Sequence, residues 1–211
     1  MAKVLVVGGN SGIGLAAAEL FQKHHHEVTR LSRANQFDFT NETVVRDFLK
    51  TNHFNYIVVT ATTPLVFGSF KEIEISQARR YFEKYWGIVN VLHYAAKYSK
   101  NLEAITLISG AASHKRGAPI TYLSMSCLAI DALTESLALE LAPIRINAVS
   151  PGVTDTPLYG DMRGQLGEWV QADPLKRVAT AEEIAQAIYF VSTHPNMTGA
   201  IVPCDGGSHL V

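Results

Sequence analysis

Cysteine is nearly absent: only Cys127 and Cys204 occur in 211 residues. Two are too few for a disulfide framework, and they lack the paired spacing of a metal site. Charge is also scarce, at 18% of residues, and 18 Lys and Arg against 19 Asp and Glu leave a net −1. Such a balance offers no electrostatic footprint for a nucleic-acid backbone or an anionic membrane surface as main partner. No apolar run approaches ~20 residues, so no membrane-crossing helix is expected. Met1-Ala2-Lys3 leads straight into strand-like sequence, without the apolar middle and cleavage site of a secretion signal, and a cytoplasmic location is the expectation. Repeats, low-complexity tracts and linkers are missing too. The chain is too short for a separate substrate domain, and one domain over residues 1–211 is expected.

What is plentiful is apolar material, 47% of residues, arranged in two alternating patterns. Short runs rich in β-branched residues read as strands at 3–7, 28–31, 56–60, 104–108, 144–149 and 200–203, with a very short one at 36–39. Helical periodicity marks 13–24, 41–50 with Asn41 as its cap, 75–99 interrupted at Gly87, 121–141 and 181–192. Strands alternating with helices specify an α/β fold, a single-domain doubly wound parallel sheet of Rossmann type.

Between the first strand and first helix stands Gly8-Gly9-Asn10-Ser11-Gly12-Ile13-Gly14. Glycines permit a tight turn and let the backbone approach a pyrophosphate, while the helix N-terminus behind them presents unpaired N–H groups to the anion. A dinucleotide site is the expectation. A ribose-binding carboxylate commonly stands about 20 residues beyond such a turn. Here the second strand ends in Leu31-Ser32-Arg33. Arg33 can pair with a 2′-phosphate and Ser32 can donate to it, which favours NADP(H) over NAD(H).

The turn, together with Arg145-Ile146-Asn147-Ala148-Val149-Ser150-Pro151-Gly152, Thr156-Pro157, Pro174-Leu175-Lys176-Arg177, Thr198-Gly199 and Asp205-Gly206-Gly207, resembles the short-chain dehydrogenase/reductase family in the right order along nearly the whole chain. The resemblance implies a cofactor site built from Gly8, Asn10, Ser11, Gly12, Ile13, Gly14, Ser32, Arg33, Asp38, Phe39, Thr60, Ala61, Tyr122, Pro151, Gly152, Val153, Thr154 and Thr156. It also implies interconversion of a small-molecule carbonyl and alcohol, and a homodimer or homotetramer. Apolar Trp86, Val89, Leu92 and Leu128 on the two long helices are the expected surplus for such pairing.

In that family a helix tyrosine exchanges a proton with the substrate oxygen, a strand-end serine holds the oxygen, and a lysine four residues after the tyrosine lowers its pKa. Tyr122 opens the matching helix, and Ser109 precedes it by thirteen positions. Ser126 stands where the lysine is expected, one helical turn beyond Tyr122. An ordinary tyrosine has a pKa near ~10, so without a cation little tyrosinate forms at neutral pH. Many members place an asparagine in the middle helix. Lys84 takes that position if Gly87 sets the register, Tyr85 if Phe82 does; Lys84 there would return a cation to the pocket from another helix, against the plainer reading of a solvated helix lysine. The loop Val59-Thr60-Ala61-Thr62 departs from the family's pattern as well. Two readings follow: an NADP(H)-dependent oxidoreductase, or an NADP(H)-binding sensor or partner subunit with little turnover. Tyr159, Met162, Leu166 and Trp169 are expected to form an apolar lid, Lys115-Arg116 a solvated loop, and His24-His25-His26 a helix end rather than a metal site.

Overall fold

In the computed structural model, which describes residues 1–211, side chains on alternate positions of each strand enter two different cores. Strand β1 (Lys3–Val7) sends Leu5 and Val7 to one face and Val4 and Val6 to the other, all fully buried. Helix α1 (Gly12–Lys23) follows, then β2 (Glu27–Leu31), α2 (Glu42–Thr51), β3 (Tyr56–Val59), α3 (Ile75–Tyr98) and β4 (Ala104–Ile108). Next come α4 (Thr121–Glu140), β5 (Arg145–Pro151), the short α5 (Leu166–Trp169), α6 (Ala181–Thr193) and β6 (Ile201–Cys204). All six strands pair in parallel, in the order β2-β1-β3-β4-β5-β6. Helices α2, α3 and α4 cover one face around Leu49, Ile88, Leu92 and Ile130; α1 and α6 cover the other around Phe21, Ile184 and Ile188.

This is the doubly wound α/β sheet expected from the sequence. The chain reverses direction between β1 and β3, and ligands of such sheets sit at the carboxyl ends of the strands at that switch. Local signals act as read: Asn41 Oδ1 accepts from the N–H groups of Thr43 and Val44 to cap α2. Thr180 and Glu183 form a reciprocal capping box on α6.

Four expectations need correction. Residues 36–39 form no strand; a 3₁₀ turn at Arg33–Asn35 leads into irregular chain that buries Phe37 and Phe39. Gly87 does not interrupt α3. It is where the helix lies against Phe39, whose ring a Cβ at Gly87 would overlap. Leu92 is a core residue and Val89 only partly exposed, so of the four expected outward positions Trp86 (61% exposed) and Leu128 are the exposed ones. Finally, α4 is long and apolar enough to cross a membrane by length and composition, but it packs on β4, β5 and α3 as a core helix.

Candidate active site

At the carboxyl end of β1 the chain turns through Gly8, with φ +91°, and enters α1 through Gly12, with φ +49°. A Cβ at Gly14 would overlap the Gly8 carbonyl oxygen and Thr60 Oγ1, so only glycine lets the helix begin this close to the β1 and β3 ends. Thr60 Oγ1 donates to the Val7 carbonyl at 3.0 Å and the Ala61 N–H to the same oxygen at 2.9 Å, fixing the loop after β3 beside the turn. Asn10 Nδ2 donates to Ser32 Oγ at 2.7 Å and also to Asn35, tying the turn to the end of β2.

These residues line a groove of about 540 Å³ that takes in Gly8, Asn10, Ser11, Gly12, Ile13, Gly14, Ser32, Arg33, Phe39, Thr60, Ala61 and Thr156. Phe37 lines it too, a residue the sequence reading did not single out. Arg33 is exposed at one end and holds no ion pair. Asp38 does not line the groove. Its Oδ1 accepts from the Thr40 N–H at 3.0 Å and Oγ1 at 2.8 Å, which spends the carboxylate on its own turn.

A second cavity, of about 610 Å³, opens off the groove, and Ile13, Thr60, Thr62, Thr156 and Leu158 border both. Pro151, Gly152, Val153 and Thr154 form its wall after β5, with Thr154 Oγ1 donating to the Gly152 carbonyl at 3.0 Å. Tyr159, Met162 and Trp169 close the far side, the two rings meeting edge to face at 5.7 Å. Leu166 is buried behind them rather than lining the space. Lys115 also reaches the cavity, with its Nζ 3.8 Å from the buried Asp173 carboxylate, so it is not simply solvated. His24, by contrast, stacks on Tyr189 at 4.3 Å on the opposite face of the sheet.

The residues expected to do chemistry are only partly gathered here. Ser109 lines the cavity and donates to the Cys127 carbonyl at 3.3 Å. Tyr122 does not line it: its ring stacks at 5.5 Å on the exposed Phe70. Ser126 is fully buried, donating to the Tyr81 carbonyl of α3 at 3.1 Å, and turns away from the cavity. In their stead Leu123 and Cys127, also four residues apart, face the cavity, with Gly110 at the end of β4 opposite. Buried α4 positions 126, 127, 130, 134 and 138 form one stripe at helical spacing that both 122 and 123 precede by a turn, and of the two pairs it is Leu123 and Cys127 that line the cavity.

Lys84 does reach the cavity. It is 7% exposed and makes no hydrogen bond or ion pair. Burial pushes its ammonium below the ordinary lysine value, with Cys127 and Asp131 opposing. Burial likewise pushes the Cys127 thiol up, and Lys84 draws it back. Tyr159 is also raised by burial. The register governed by Gly87 therefore gives Lys84, not Tyr85, the position over the cavity.

A family model described as enoyl-(acyl carrier protein) reductase matches residues 32–209. Carbonyl reductase family member 4 of Danio rerio is 27% identical over an alignment covering 98% of each chain. Short-chain dehydrogenase/reductase ATR9 of Stachybotrys chlorohalonatus is 39% identical over 111 residues, 51% of this chain and 44% of that protein. Among solved structures, a small-chain dehydrogenase in complex with NADPH is 35% identical, covers 99% of both chains and superposes with a TM-score of 0.94.

Proposed function

The chain belongs to the short-chain dehydrogenase/reductase family of oxidoreductases, and from that premise we propose that it binds NADP(H) in the glycine-lined groove and interconverts a small, largely apolar carbonyl compound and its alcohol in the adjoining cavity. One observation carries the reading: groove and cavity share a border, and an unpartnered buried ammonium, that of Lys84, faces the cavity. Bound there, the cofactor supplies or accepts the hydride.

The cradle fits a dinucleotide. Its N–H groups at the start of α1 suit a pyrophosphate, and glycine stands where a side chain would fill the space. Arg33 and Ser32 suit a 2′-phosphate, and the solved relative at 35% identity holds NADPH.

Proton transfer is assigned to Lys84. During reduction Nζ would give a proton to the substrate oxygen; during oxidation neutral Nζ would remove it. Burial eases the first transfer because it weakens the hold on the proton. Ser109 Oγ has lone pairs free beyond its bond to the Cys127 carbonyl, and its hydroxyl can turn to hold the same oxygen. Tyr122 takes no part in this scheme, since Phe70 occupies its ring face and Leu123 fills the position beside the cavity.

A second reading, NADP(H) binding with little turnover, is favoured by one feature: an apolar Leu123 stands where the cavity would otherwise receive a helix hydroxyl. Following NADPH oxidation against ketones, quinones and aldehydes, with cofactor affinity measured in parallel, separates the two. Oxidation that disappears in Lys84→Met supports the enzyme. Tight NADPH binding without oxidation of any compound supports the second reading.

A further inference from the structure

Cys127 is one of two cysteines in the chain, and the cavity is its sole route to solvent, the residue being 1% exposed. Its sulfur sits beside Gly110, where a Cβ would come within 3.2 Å of Sγ. The glycine therefore keeps the thiol uncovered at the cavity wall. Lys84 lines the same space, nine-tenths buried and without a hydrogen-bond partner. Asp131, one turn after Cys127 on α4, has a buried Oδ1 that is equally unpartnered. A nucleophile and an amine thus line a space whose other lining is mostly apolar, with an unpartnered buried carboxylate oxygen on the same helix as the nucleophile.

We propose that Cys127 is a covalent site for small apolar electrophiles, α,β-unsaturated carbonyl compounds as a class, with Lys84 carrying the proton. The step balances without any oxidant. Neutral Lys84 Nζ takes the thiol proton, and Sγ forms a bond to the β-carbon of the enone. The carbon–carbon π pair moves to the α-carbon and carbonyl as an enolate, and the Lys84 ammonium returns the proton to the α-carbon. The net change is addition of S–H across the double bond. Only the thiolate attacks, so an adjacent cation that stabilises it raises the rate. Placement at the wall of a mostly apolar cavity favours small apolar molecules over bulky reagents at Sγ. The half-buried Cys204, on β6 beside the Arg177–Glu183 pair and outside this cavity, has no such filter.

The inference uses the proposed substrate cavity but not hydride transfer, so the two fail independently. The test uses the full chain and N-ethylmaleimide, a small unsaturated imide, with modified peptides quantified by mass spectrometry. Cys127 is expected to form an adduct, and a maleimide carried on a bulky polymer is expected to label Cys204 alone. Lys84→Met should slow the Cys127 reaction about tenfold, because the thiolate loses its neighbouring cation, with Cys204 unchanged. Gly110→Ala, which crowds Sγ while leaving Lys84 in place, should slow it as well and guards against misfolding of the first variant. No adduct at Cys127, or an unaltered Cys127 rate in both variants, overturns the proposal whether or not NADPH is oxidised.

Discussion

Lys84→Met is the most informative single change, because the structure makes opposite demands on that residue for stability and for chemistry. Methionine nearly matches the lysine stem in volume and keeps its packing within α3. It removes an ammonium that is 7% exposed and has no hydrogen bond or ion pair. Replacing buried charge by apolar atoms of similar volume typically stabilises by about 1–4 kcal/mol, and that is the gain expected near neutral pH. The sign with pH follows from linkage. Lys84 titrates below its ordinary 10.5 in the folded chain, so between the two values the unfolded chain holds more protons and stability climbs as pH rises. Below the folded value the whole cost of burying the charge is present. The variant lacks this climb, so its advantage should be greatest below the lowered folded value and shrink toward pH 10.5. Urea unfolding of both proteins between about pH 6 and about pH 10, analysed with a common slope, measures it. A variant that is less stable at neutral pH, or that follows the wild-type pH dependence, refutes the reasoning.

Other outcomes follow from the same geometry. Arg33→Ala should weaken NADPH binding by roughly 1–3 kcal/mol, the range for hydrogen bonds to charged groups, and leave NADH binding unchanged, as fluorescence titration of both will read. In the α6 cap, Glu183 is held down to about 2, first by the hydrogen bond from Arg177 and then by the Thr180 N–H. Its contribution to stability is therefore complete above the ordinary 4.5 and lost as pH falls toward 2, and Arg177→Met should return the NMR-detected titration toward 4.5. Thr180→Ala, which removes the other half of the box, should cost about 1 kcal/mol in urea unfolding. Trp86 and Leu128 leave apolar surface on α3 and α4, and light scattering is expected to find a dimer or a tetramer of dimers that Trp86→Glu dissociates.

Most of the fold was legible because it is written in local patterns: valine-rich runs for strands buried on both faces, helical stripes, Asn41 as a cap. The groove was legible for a similar reason, since Gly8, Gly12 and Gly14 meet conformational and steric requirements set by their immediate neighbours. Residues 36–39 misled because Phe37 and Phe39 alternate as a strand does, yet their burial comes from α2 and α3 packing over irregular chain. Asp38 stands off the groove lining, its Oδ1 held by Thr40 two residues on, a local bond that a family pattern does not reveal. On α4 the residues that line the cavity stand one position on from Tyr122 and Ser126. Ser109 and Tyr122 are thirteen apart, but so are Gly110 and Leu123, and Ser126 and Cys127 stand side by side. Spacing alone does not separate the two pairs, since 122, 126, 130, 134 and 138 also repeat at four; the packing of α4 against the cavity does, with Leu123 and Cys127 on its wall. Lys84 was named as an alternative, and choosing it over Tyr85 required the contact between Gly87 and Phe39 that sets how α3 lies.

The central claim, that Lys84 rather than Tyr122 carries the proton beside the cofactor, is tested most directly by single-turnover NADPH oxidation with any carbonyl compound the panel finds active. Rates are compared for wild type, Lys84→Met and Tyr122→Phe across pH. The account predicts that Tyr122→Phe reacts as wild type does. Wild-type reduction should fall as pH rises through the lowered lysine value, and Lys84→Met should lose most of its rate together with that pH dependence. A rate abolished by Tyr122→Phe and left intact by Lys84→Met would contradict it.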